Sequence, residues 1–181
     1  MTDAKESNAA DLDSATADQI REASRAGRLV RLESVWQKSK EEFAAWRTSQ
    51  EATAMADIAM IQERDEAFLY SELHMTRSFA AAAARAGCRD ICWAIARTVR
   101  NDSQTYPRPT PLSAFGESPF FFPKDLLDRA MQDIPDDPQY ADIRFIRSSD
   151  GSIFLFSSAH LDPARAESLA EWLAVGHVRN P

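Results

Sequence analysis

The chain has 181 residues, 44% of them hydrophobic and 27% charged, with a formal net charge of −7. That is enough for one full soluble domain or two small ones. The acidic balance puts nucleic acid and anionic membrane surfaces at a long-range disadvantage.

The chain starts with a polar, acidic stretch, MTDAKESNAADLDSATADQ, that reads as no signal peptide. No apolar run reaches the length of a membrane span. The two cysteines, Cys88 and Cys92, make no secreted disulfide framework. A cytoplasmic protein is expected. All nine prolines lie at or after Pro107, and the first 106 residues hold only Gly27 and Gly87. The first part is therefore expected to be nearly all helix, and the second to be short elements joined by turns.

In chain order, residues 1–16 read as a disordered acidic tail with nothing to bury. Residues 17–87 read as a helical region. From Asp18 to Ser49, Leu29, Leu32, Trp36, Phe43 and Trp46 recur at spacings of 3, 4 and 7. They predict one helix face that needs a partner surface, within the chain or in a second copy. From Glu51 to Ala86 a second helical pattern runs through Met55, Ile58, Ile61 (or Met60), Leu69, Leu73 and Phe79, ending at Gly87.

Residues 88–181 read as a separate domain. Cys88, Ile91, Cys92, Ile95 and Val99 predict a helix over 88–101. The prolines of TYPRPTP (105–111) force a stiff extended strap. A single helical turn at 112–115 follows, then a helix over 124–134 started by Pro123 and stopped by Pro135. Strands 143–148 and 152–157 flank Asp150-Gly151, a two-residue hairpin signal that would put Phe145 opposite Phe156 and Ile146 opposite Leu155. Both hairpin faces are apolar, so both are expected to be covered. Asp162 caps the last helix, with Pro163 at its first position and Gly176 as its stop.

This order of helix, extended strap, helical turn, helix, strand, turn and strand over residues 88–158 resembles a winged-helix domain. The resemblance implies DNA binding through the third helix and the wing, although many such domains bind proteins instead. The residues oppose the DNA role. The third helix, PKDLLDRAMQDI, is net negative, and only Arg147 supplies a cation near the wing tip.

Several constellations bear on chemistry. Arg21, Arg25, Arg28 and Arg31 share a helical sector and read as a solvated face interleaved with Glu22 and Glu33. Cys88 and Cys92 continue an apolar stripe and read as core rather than metal ligands. No Glu-x-x-His pair, phosphate-binding glycine loop or nucleophile elbow is present. Ser157, Ser158, His160 and Asp162 read as a strand end followed by a helix cap.

No cofactor, metal site or catalytic residue is assigned. The interaction candidates are Tyr106 and Arg108 on the strap, Phe120, Phe121 and Phe122 (which also read as core), and Trp36 and Trp46 on the first apolar face. The expected fold is α+β and mostly helical, with long N-terminal helices and a C-terminal winged-helix-like part. The expected role is a non-catalytic interaction, accessory or assembly protein with a protein partner or a second copy. The alternative is a winged-helix regulator that dimerises through its N-terminal helices.

Overall fold

The computed structural model describes residues 12, 14–49 and 55–176. The expected disordered tail lies outside them except for its end, where Leu12 is buried and helix α1 begins at Ser14. The chain divides into two compact units, residues 1–84 and 85–181. The fold is α+β, with six α-helices and two small antiparallel sheets among the described residues.

The first unit runs α1 (Ser14–Arg25), β1 (Val30–Arg31), a 3-10 turn (Leu32–Ser34), α2 (Lys40–Ser49), β2 (Ile58–Glu63), β3 (Glu66–Ser71) and α3 (Arg77–Ala86). The single helix expected over 18–49 is broken. Gly27 adopts φ +70°, and its N–H and that of Arg28 bond back to Ser24 O and Ala23 O. This pairing closes a helix end. The helical pattern expected over 51–86 gives way to a β-hairpin, and only its last part is helix. The hairpin turns at Arg64-Asp65, where Arg64 takes φ +52° without a glycine. Its strands are packed on both faces. Ile58 and Leu69 meet Ile20, Leu32 and Phe43 on one side, while Ala59, Ile61 and Tyr70 meet Met75, Phe79 and Ala80 on the other. Two-sided burial removes the polar alternation that marks a strand in sequence.

The second unit runs α4 (Ile91–Thr105), β4 (Thr110–Pro111), a 3-10 turn (Leu112–Gly116), α5 (Lys124–Asp136), β5 (Ile143–Arg147), β6 (Ile153–Ser157) and α6 (Pro163–Glu171), with a π-helical turn at Trp172–Gly176. Pro135 lies inside the last turn of α5 rather than beyond it. The strap contributes a third strand, so the hairpin is not a lone pair.

The hairpin register is one residue away from the expected one. Phe145 faces Leu155 and Ile146 faces Phe154. Gly151 (φ +89°) is the third loop residue, after Ser149 and Asp150, and Ser148 N donates to Ser152 O. A two-residue type I′ turn would need positive φ at Asp150 as well. The slip exchanges faces. Ile143, Phe145 and Leu155 pack with Ile95, Val99 and Ile134. Ile146 and Phe156 pack with Leu161 and Ala166.

The two units repeat one plan. Each has the order helix, short strand, 3-10 turn, helix, hairpin, helix. Each has its sheet in the same order, β1-β3-β2 and β4-β6-β5. The sequence repeats with them. Phe-Leu-Tyr-Ser-Glu-Leu-His (68–74) answers Phe-Leu-Phe-Ser-Ser-Ala-His (154–160), and Asp57-Ile58 answers Asp142-Ile143.

Candidate functional site

The repeat carries a polar network in both copies. In the second unit, Asp142 sits just before β5 and accepts a bidentate pair from Arg100 of α4, with Nε at 3.0 Å. It also accepts Ser157 Oγ at 2.6 Å. Ser157 N donates to Ser103 Oγ at 3.0 Å, one helical turn beyond Arg100. In the first unit, Arg21 is bidentate on Asp57 at 2.6 and 3.1 Å, Ser71 Oγ donates to Asp57 at 2.6 Å, and Ser71 N donates to Ser24 Oγ at 2.9 Å.

The guanidinium beside each aspartate holds its carboxyl below the usual range, although partial burial opposes this. Every member is satisfied, and both copies tie the first helix to the two ends of the hairpin. These are locks of the fold rather than a reaction centre. Arg21 therefore leaves the solvated face on which its spacing placed it. Only the repeated Arg-x-x-Ser, Asp-Ile and Phe-Leu-x-Ser signals could have revealed the locks from sequence.

A cleft also occurs at the same place in each unit. It lies between the short strand and 3-10 turn, the start of the second helix, and the hairpin turn. In the first unit it measures about 310 Å³. Trp36 lines it, donating from Nε1 to Ser39 O at 3.1 Å. Lys40 latches it by reaching Asp65 O in the hairpin turn at 2.6 Å. Arg31 pairs with Glu66 across the strands at 3.0 Å.

The second unit lacks these closures. Pro111 and Ser152 stand where Arg31 and Glu66 stand. Lys124, first in α5 as Lys40 is in α2, turns back to Asp128 of its own helix at 2.6 Å. Trp36 lies four residues after Leu32, and four residues after Leu112 is Gly116. A Cβ placed on Gly116 would have no atom within 4 Å. The result is a groove of about 850 Å³ with Leu112, Leu127, Ile153, Phe154 and Leu173 among its walls, large enough for a ligand or a peptide segment.

The sequence candidates divide around this groove. Arg108 lines it, stacked over exposed Tyr106 at 5.3 Å. Pro109 is fully buried and Thr110 pairs with Leu155, so the strap is fixed to the sheet and cannot act as a detachable proline-rich ligand. Phe121 is 68% exposed, at φ +50°. Phe122 is buried and Phe120 packs against Phe115 and Phe122. Trp36 is 4% exposed, and Trp46 stacks on Trp36 and Phe43. The first apolar face is thus consumed by its own unit, not offered to a second copy. Exposed Trp172, next to Leu173 of the groove wall, was not singled out in the sequence.

His74 and His160 are exposed, and neither lines the groove. Cys88 is buried and Cys92 half-buried, and burial pushes the Cys92 thiol up. No helix among the described residues is long and apolar enough to cross a membrane.

Comparison with known proteins follows these boundaries. Residues 89–178, nearly all of the second unit, match the YdhW C-terminal domain family. The chain is 35% identical over 126 residues to a protein of Escherichia coli (strain K12) named uncharacterized protein YdhW. That match takes in 70% of this chain, so it reaches into the first unit, and the chain spans 59% of the relative's length. No solved structure matches. The similarity to the YdhW C-terminal domain thus falls on the unit that carries the open groove.

Proposed function

We propose that this protein is a non-catalytic interaction or accessory protein and that the groove of its second unit is the docking site for a protein partner. One observation carries this reading: the cleft that is about 310 Å³ and latched by Lys40 in the first unit is about 850 Å³ and unlatched in the second. The groove walls are mainly apolar, and Tyr106, Phe121 and Trp172 are exposed close in sequence to groove residues Arg108, Lys124 and Leu173. Exposed aromatics beside a preformed groove are what an interface uses as anchors. No histidine, cysteine or tyrosine lines the groove, and Ser152, which donates to Asp150 at 3.0 Å, has no imidazole there to activate it. The test is capture from lysate by the wild-type chain beside Gly116→Trp, which adds a large ring to a residue of the groove lining. The reading requires a partner held by the first and released by the second, with the two chains melting alike. Equal capture by both would remove the groove from the interface.

The winged-helix regulator has one feature in its favour. The second unit has the order α4, β4, 3-10 turn, α5, β5, β6, with the first strand paired to the last. Against DNA binding, α5 carries Asp125, Asp128 and Asp133, Lys124 is spent on Asp128, and both hairpin faces are covered. A gel shift at low salt with DNA flanking the gene decides between the two readings.

A further inference from the structure

We draw no further inference here: the strongest candidate, the groove of the second unit walled by the strap, α5 and the hairpin turn, belongs to the docking site already proposed, and nothing in the structure shows what covers it.

Discussion

Asp57 and Asp142 each hold an arginine, accept a serine hydroxyl, and accept nothing loose. In each, the bidentate guanidinium lowers the carboxyl's proton affinity and partial burial only partly restores it. A folded-state pKa below the unfolded value of about 3.9 gives stability that is complete above that value and lost as pH falls through the folded one. Thermal stability should therefore hold from neutrality to about pH 5 and drop below about pH 4. Asp142→Asn should cost about 2 kcal/mol at pH 7, since it leaves a half-buried guanidinium without its counter-charge, and should flatten that acid limb. A variant as acid-sensitive as wild type would show that Asp142 is not among the linked groups. Ser103→Ala deprives the buried Ser157 N–H of its acceptor and should cost about 1–2 kcal/mol in a denaturant melt. Ser24→Ala should do the same for Ser71 in the first unit. Spacing alone could not identify these residues, because an arginine on a helix face looks the same in sequence whether it is solvated or paired with an aspartate 36 or 42 residues away.

The two hairpins show why one was legible and the other was not. Asp150-Gly151 announces its turn, and the glycine is needed, since φ +89° disfavours any side chain. The register still differs by one residue, because Asp-Gly also fits the end of a three-residue loop. Gly151→Ala should cost about 1 kcal/mol through the backbone alone, as its Cβ would touch nothing. Gly116→Ala has the same open surroundings without positive φ, and should be neutral or stabilising by about 0.5 kcal/mol. Paired melts of the two variants separate backbone strain from lost space. The first hairpin hid because Glu-Arg-Asp-Glu is no turn signal and because apolar residues on both faces also satisfy helical spacings. The last helix was legible: Asp162 caps it by accepting Arg165 N, and Pro163 opens it. Its cap is local chemistry, independent of what packs on it.

At the scale of the whole chain, one plan used twice explains more than either half does alone. Each unit closes its own core and its own lock, so neither the aromatic cluster around Trp36 nor the apolar face of α1 remains for a partner. What differs between the copies is the cleft, and the difference lies in a few places: Arg31 and Glu66 against Pro111 and Ser152, the direction of Lys40 against that of Lys124, and a linker from the 3-10 turn to the second helix that is longer in the second unit. The repeat was present in the sequence, in Phe-Leu-x-Ser-x-x-His and the aspartate before each hairpin, but only the shared strand order gives those letters a common position. The open groove could not be read at all, since its walls come from the strap, α5, the hairpin turn and the end of the chain, segments that only folding brings together. Hydrogen exchange of the full chain with and without the partner that wild type captures and Gly116→Trp releases tests this most directly. The account predicts slowed exchange at Ser113, Gly116, Gly151 and Ser152, with the equivalent first-unit cleft at Glu33, Lys40 and Glu66 unchanged. Slowing confined to the first-unit cleft, or to Asp125 and Arg129 on α5, would contradict it.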